Sequence, residues 1–305
     1  MKYSVVIPAF NAIETIGETL SSVYKQTIQP KSIYVVNDGN DKILSNFLKS
    51  QNVHVISSVT QLGPGGAKNL GVGAVTTEFF AILDADDLWG LDFAFTHQNI
   101  WKTLPADTAA VGGSFSAFGG APSISFNSTK KRKKIKDGFV NAHDLLLRNP
   151  FTASSVMYRT EHVQKIGGWP AAGGSDDYQM YAKLSACSLK LYFSGQISGS
   201  YRIHSNQISI NVKRQLTGEF SVLEFLGNSL GVAITSKKML KIKSKFWYRA
   251  LARSAIYNID HSGVPLTKNF TNFKRDYFMS LIFRIKPIWL VIKLIWRIYK
   301  FKDSK

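Results

Sequence analysis

Apolar residues fall into short blocks along the first hundred positions, and the blocks alternate between two spacings. Residues 4–10 (SVVIPAF) form a continuous apolar run broken by Pro8, which predicts a buried strand. Asn11 then has the chemistry of a helix N-cap with Glu14 three residues on, and Ile13, Ile16, Leu20, Val23 and Tyr24 follow at helical spacing. Residues 32–39 (SIYVVNDG) predict a second strand ending in turn residues, with a short helix over 41–50 and a third strand over 53–58 (VHVISS). A helix over 66–75 leads into a fourth strand, FFAILD. Strands that are apolar throughout, separated by helices, predict a parallel sheet covered on both faces. Ligands of such sheets bind at the carboxyl ends of the strands, and there the chain places Asn37, Asp38, Asp84, Asp86 and Asp87.

Between 108 and 210 the pattern loosens into shorter strands (AAVGGSFSAF, TASSVMY, LKLYFSG, GSYRIH), with helices over 141–148 and 175–186. This reads as the second half of the same α/β domain, residues 1–210. Beyond about 211 the segments turn helical and basic, which places a boundary there and a second region over 211–305. Its last stretch, residues 287–302 (PIWLVIKLIWRIYKFK), carries Lys293, Arg297 and Lys300 at i, i+4 and i+7, with apolar residues over most of the remaining circumference. Charges interrupt it too soon for a bilayer span, so it either lies in a membrane interface or packs on the core.

Charge changes this picture more than composition does. The formal net charge is +18, yet from Lys213 onward there are 19 Lys and Arg against 5 Asp and Glu. The run 130–136 (KKRKKIK) adds six more positive groups, leaving the rest of the chain near neutral. Such placement suits an anionic partner (a membrane surface, a phosphorylated acceptor or nucleic acid) or a merely solvated tail. The basic residues avoid the sheet's ligand end and no nucleic-acid motif is present, so nucleic acid is not the expected partner. The single Cys187 excludes an internal disulfide framework and a cysteine zinc site. MKYSVVIPAF is too short in its apolar part for a signal-peptide core, so a cytoplasmic active site is expected, peripheral on the inner face of the cell membrane.

Two stretches carry candidate chemistry. LGPGGAKNLGVG (62–73) fits neither the phosphate-binding P-loop nor the dinucleotide fingerprint. It can bring Lys68 and Asn69 toward a ligand, or it can be a structural turn before a helix. In FFAILDADDLW (79–89), five apolar residues are followed closely by Asp84, Asp86 and Asp87. At strand spacing Asp84 and Asp86 share one side, as hard oxygen ligands for Mg²⁺ or Mn²⁺ on a diphosphate; helix capping is the alternative.

Taken together, SVVIPAFN, VVNDGN, GPGGAKNLG and LDADD, in this order, resemble the GT-A glycosyltransferases of family 2 over roughly residues 3–210. The resemblance implies a Rossmann-like, mostly parallel central sheet flanked by helices, here with a helical C-terminal extension. It implies an inverting enzyme using a nucleotide-sugar donor, usually UDP- or dTDP-linked. Pro8, Ala9 and Phe10 would line the nucleotide pocket and Asp38 would hydrogen-bond the base. Asp84 and Ala85 would sit near the ribose, and Asp86 would hold the metal. Lys68 stands where the family usually has Arg, and loses its bidentate fork. IGGWPAAGGSDDYQMYAKL (166–184) resembles the family's Gly-Gly-Phe/Trp segment and acidic pair. There Asp177 would be the general base, Asp176 a supporting acid and Trp169 a platform for sugar or acceptor, the paired glycines admitting the donor. Capping of the helix after Ser175 is the competing reading of the two acids. Downstream, His204 would approach the metal or diphosphate and Arg202 a phosphate; a satisfied histidine at a strand end is the competing reading of His204. The acceptor expected is a surface glycan, plausibly on a polyprenyl diphosphate. A non-catalytic nucleotide-sugar-binding or nucleic-acid-binding protein is the alternative.

Overall fold

The computed structural model describes residues 1–119, 136–170, 174–204, 207–208, 211–231 and 242. The basic run 130–136, except Lys136, and the segment 287–302 lie outside them. The first half runs β1 (Tyr3–Ala9), α1 (Ile16–Tyr24), β2 (Ser32–Asp38), α2 (Lys42–Leu48), β3 (His54–Ser58), α3 (Gly63–Gly73), β4 (Phe79–Ile82), β5 (Leu88–Trp89) and α4 (Phe93–Trp101). The second half continues β6 (Thr108–Gly112), β7 (Ser116–Gly119), β8 (Gly138–Val140), α5 (Ala142–Leu147), β9 (Met157–Arg159), α6 (Thr160–Lys165), α7 (Asp176–Ala186), β10 (Lys190–Phe193), β11 (Gly199–Ile203) and α8 (Val212–Ser229).

Eight strands form the central sheet in the order β3-β2-β1-β4-β9-β6-β10-β8. The pairs β3/β2, β2/β1, β1/β4 and β6/β10 are parallel, whereas β9 and β8 run antiparallel to their neighbours. Period-two alternation sorts the strand residues into two covered faces. Val6, Val36, Phe80 and Ile82 face one core with α3, α5, α6, α7 and α8; Val5, Ile7, Val35, Phe79 and Ala81 face another with α1, α2 and α4. This is the expected α/β architecture, sheet between helical layers. Strand order reverses at β1, between β2 and β4, so a crevice opens beyond the carboxyl ends of those strands.

Several expected elements shift. α1 begins at Ile16, not after Asn11, because Asn11 turns the chain with φ 51° and the Thr15 hydroxyl is spent on the carbonyl of Ala85. α3 starts at Gly63 and ends at Gly73. Gly71 lets it lie flat on the sheet, since a Cβ there would meet Val6 and Val36. AAVGGSFSAF is two strands in two sheets: the chain leaves the main sheet at Gly113, where a Cβ would stand 2.6 Å from the carbonyl of Ser194. β7 then joins a small sheet of order β5-β11-β7 that was not expected. TASSVMY divides into a 3-10 turn over Ala153–Ser155 and β9. α4 and α6 were also unforeseen, although Phe93, Ala94, His97 and Trp101 do recur at helical spacing on α4. α8 starts just past the expected boundary at 211, and its Leu216, Val222, Leu223 and Leu226 join the same apolar cluster as Tyr178 and Tyr181 of α7. Among the described residues, no helix is long and apolar enough to cross a membrane.

Candidate active site

The loop after β4 shows what three crowded carboxylates can do. β4 ends at Ile82, so strand alternation does not reach the acids, and each takes a separate environment. Asp87 is fully buried and anchors the loop: Ser154 Oγ donates to its Oδ2 at 2.6 Å and the Arg202 amide to its Oδ1 at 2.9 Å. Burial, reinforced by the charges of Asp84 and Asp86, pushes its carboxyl up to about 8. The Thr15 and Thr19 hydroxyls donate to the Ala85 carbonyl at 2.8 and 2.9 Å, and the Asp84 amide donates to Ser154 Oγ. These bonds satisfy a loop that would otherwise present unpaired polar backbone.

Asp84 faces inward, toward Lys68. Burial raises its carboxyl above the usual range, the lysine pulls it back, and Asp177 and Asp86 push it up again. Lys68 itself is 1% exposed. Its Nζ donates to Asp177 Oδ2 at 2.7 Å. Burial works to lower the ammonium pKa, yet Asp177, Asp84 and Asp176 together hold it above its ordinary value. Lys68 therefore does not reach out to a ligand as expected; it is the shared counter-ion of three carboxylates. A lone buried ammonium is costly, which is why the acids gather round it.

Trp169 corrects a second expectation. At 2% exposure its ring offers no open face for a sugar. It packs on Phe80 and Tyr158, and its Nε1 donates to Asp177 Oδ1 at 3.0 Å. A buried indole needs an acceptor for its N–H, and the acid supplies it. Asn69 holds the same residue at both backbone groups: its Nδ2 donates to the Trp169 carbonyl at 2.9 Å and its Oδ1 accepts from the Trp169 amide at 2.7 Å. The glycine pair before it, Gly167 at φ 76° and Gly168 at φ 66°, makes this turn, and a Cβ on Gly168 would meet the Asn69 side chain. The close approach is to Asn69. Asp176 starts α7 beside Asp177, its carboxyl raised by burial against the pull of Lys68.

Asp86 turns the other way. His204 Nε2 lies 2.8 Å from its Oδ2, joining residues 118 apart, and both side chains are about one-third exposed. Arg202, two residues earlier, is committed to protein contacts: Nε donates to the Asp86 carbonyl at 2.8 Å and Nη2 to Glu18 Oε2 at 2.7 Å, with the guanidinium 4.6 Å from the Phe118 ring. It braces the acidic loop instead of standing free for a phosphate. Glu18 and Ser154, essential to that bracing, carried no sequence signal beyond being polar.

At the far side of the crevice Phe10 is 47% exposed beyond the end of β1, its ring against Gly39 after β2; Ala9 is buried and Pro8 partly buried. Asp38 uses both carboxylate oxygens to accept from the Leu62 and Gly63 amides at 2.7 and 2.9 Å, pinning the start of α3. No group of three or more His, Cys, Asp or Glu side chains able to hold a metal occurs among the described residues. Asp86 and His204 still fit a cation that takes its remaining ligands from a diphosphate and water, the usual habit of Mg²⁺ and related ions at phosphate sites.

Residues 4–165 match the sequence profile of Glycosyl transferase family 2, more than half of the chain. The chain belongs to that family. Among similar proteins, an uncharacterized glycosyltransferase of Haemophilus influenzae is 33% identical over 90 residues, 28% of either chain. The amylovoran biosynthesis glycosyltransferase AmsB of Erwinia amylovora is 31% identical over 99 residues, 30% of this chain and 33% of its own. The matches thus span a third or less of these two relatives. A longer match, 24% identical, covers 74% of this chain and 87% of the Escherichia coli protein WfgD, a UDP-Glc:alpha-D-GlcNAc-diphosphoundecaprenol beta-1,3-glucosyltransferase. Two solved structures share the fold. Residues 1–349 of Staphylococcus aureus TarS with UDP-GlcNAc superpose with a TM-score of 0.60 at 18% identity, over 83% of this chain and 73% of that fragment. The mannosyltransferase PcManGT of Pyrobaculum calidifontis, with GDP-Man and Mn²⁺, gives 0.54 at 16% identity, over 100% of this chain and 88% of its own.

Proposed function

We propose that this family 2 chain moves a sugar from a nucleoside-diphosphate donor, a UDP-sugar first, to a hydroxyl of a surface-glycan acceptor carried on a polyprenyl diphosphate. The observation that carries the reading is that Asp177, held by Lys68 and Trp169, and Asp86, paired with His204, both act by their charge on Asp84, just past the carboxyl end of β4. Phe10 and Asp38 would receive the base, Pro8 and Ala9 completing that wall, and Asp84 and Ala85 would lie toward the ribose.

Asp177 is the general base of the proposal. A carboxylate offers about four lone-pair positions, and Lys68 and Trp169 occupy two of them. A remaining one can accept the acceptor's hydroxyl proton as that oxygen bonds to the anomeric carbon. The bond from that carbon to the diphosphate breaks, and the nucleoside diphosphate leaves with the electron pair. One displacement of this kind inverts the anomeric centre. Asp86 and His204 would hold a divalent ion, Mn²⁺ or Mg²⁺, which would offset charge on the departing diphosphate. Trp169, Lys68 and Arg202 position these acids, and Asp176 supports them.

The donor class is supported by what WfgD is named for and by UDP-GlcNAc in TarS; GDP-Man in PcManGT keeps guanosine donors within the test. The lipid-diphosphate acceptor is supported by what WfgD and its Escherichia coli counterpart WfaP are named for. We extend the proposal to the domain plan, with residues 1–210 catalytic and 211–305 meeting an anionic membrane surface from the cytoplasmic side, on the charge excess from Lys213 onward.

Thermal-shift measurements with UDP, GDP, CMP and dTDP sugars, each with and without Mn²⁺, test the reading. One nucleotide class should stabilise the protein by about 2.7 kcal/mol at about 100 times its dissociation constant. The effect should need the metal and vanish in Asp86→Ala. No shift with any donor in the presence of metal would overturn the donor site.

A further inference from the structure

Arg214 lies in the first turn of α8, where its amide donates to Asn211 Oδ1 at 2.9 Å. Its side chain spans two turns of the site. A Cβ placed on Gly174, just before the acidic pair, would stand 2.7 Å from Arg214 Cγ, and one placed on Gly63 would stand 3.9 Å from Arg214 Nη2. Gly63 is the residue whose amide Asp38 holds. The guanidinium thus reaches from the Asp176 turn toward the start of α3, and its charge is felt at Asp176. The other cations near the crevice are committed: Lys68 is enclosed by its carboxylates, and Arg202 is taken by Glu18. Among the described residues, none of the ion pairs formed includes Arg214.

We infer that Arg214 binds a phosphate group of a ligand that enters beside Asp176. The inference rests on the proposed transfer site, because it is the surrounding acids that call for such a group. Asp84, Asp176 and Asp177 share Lys68, and a diphosphate brought near them would meet net repulsion. A guanidinium at the rim offsets that repulsion, and its planar fork matches two phosphate oxygens at once. The phosphate can belong to the donor's nucleoside diphosphate or to a prenyl diphosphate of the acceptor. Either source presents the same chemistry.

Arg214→Gln, with Arg214→Lys beside it, separates the cases by titration calorimetry with two probes, UDP plus Mn²⁺ and geranyl diphosphate. Loss of a charge-assisted fork is expected to weaken the affected probe about 10- to 100-fold in Arg214→Gln and less in Arg214→Lys. The melting temperature should stay near wild type, since among the described residues the guanidinium makes no ion pair to lose. Weakened geranyl diphosphate alone supports an acceptor phosphate. Weakened UDP alone supports the donor diphosphate, and weakening of both supports a shared position. Unchanged affinity for both probes overturns the inference while wild-type UDP binding leaves the donor site standing. A wild type that binds neither probe overturns both readings.

Discussion

The His204 imidazole lies 2.8 Å from the Asp86 carboxylate although 118 residues separate them. The contact exists because β11, which delivers His204, pairs antiparallel with β5, the short strand that follows the acidic loop. Arg202 ties the two from behind, through the Asp86 carbonyl and the Asp87 carboxylate. A pairing of this kind depends on a small second sheet, not on local spacing.

If Asp86 and His204 share a cation, His204→Ala should raise the Mn²⁺ concentration needed for nucleotide-dependent stabilisation. About 10- to 100-fold is the expected size, comparable to losses at other metal-site positions. Glu18→Gln should have a smaller effect in the same direction, by loosening Arg202. Manganese titration followed by thermal shift reads both, and equal midpoints in wild type and His204→Ala would remove His204 from the site.

Asp177→Asn should lower kcat by about 10²- to 10⁴-fold while nucleotide affinity stays within a few-fold. Trp169→Phe keeps the buried ring but removes the N–H bonded to Oδ1, so it should lower kcat less and leave KM for the donor unchanged. Steady-state kinetics with the donor identified by thermal shift separates the two. Full activity in Asp177→Asn would exclude it as the base.

Lys68→Met leaves a partly buried carboxylate without its partner, which should cost about 3–5 kcal/mol in stability. The double variant Lys68→Met, Asp177→Asn should recover part of that loss, because Asp84 and Asp176 still lack their cation. Urea unfolding of the four proteins gives the coupling directly. A cost below about 1 kcal/mol for Lys68→Met would mean the pair is not formed in solution.

His97 provides a pH test away from the site. Its buried ring presents Nε2 to the Ser155 carbonyl at 3.1 Å, and Nδ1 has no partner. Burial pushes its pKa down from 6.5 to about 3, with the Ser155 bond opposing. The unfolded chain therefore binds the proton first, so this contribution is complete above about pH 6.5 and is lost as pH falls toward 3. Between pH 7.5 and 5 the loss amounts to about 2 kcal/mol. His97→Phe should be less stable at both pH values yet show about 2 kcal/mol less change between them. An undiminished change in the variant would show that His97 is not held neutral.

The Gly174–Ser175 turn, with φ 84° and 51°, presents both acids, and α8 packs against it. Ser175 Oγ donates toward Gln215 Oε1 at 2.9 Å and its carbonyl at 3.1 Å. Gln215→Ala should lower kcat several-fold with a modest fall in melting temperature. Gly174→Ala, forced into a conformation L residues avoid and against Arg214, should be the more destabilising of the two by about 1–3 kcal/mol.

The apolar blocks of residues 4–10, 32–39 and 79–84 were enough to place β1, β2 and β4, because a strand buried on both faces must be apolar throughout. The polar residues at their ends were legible for the same reason: polar groups can begin only where the covered sheet stops. Asp38 and Asp86 were thereby singled out by position, whereas Asp177, His204 and the role of each of the four came from the resemblance to family 2. What each side chain touches was legible from neither. Whether Lys68 reaches a ligand or closes a ring of acids and whether Arg202 is free depend on partners more than 100 residues away, and Trp169 turns its N–H to nearby Asp177 while Asn69, 100 residues earlier, holds its backbone. Hydrophobic periodicity reports which side of an element is buried and says nothing about which distant polar group meets it there. Those pairings arise when β11 crosses to β5 and α7 settles against α3, and only the tertiary structure decides them.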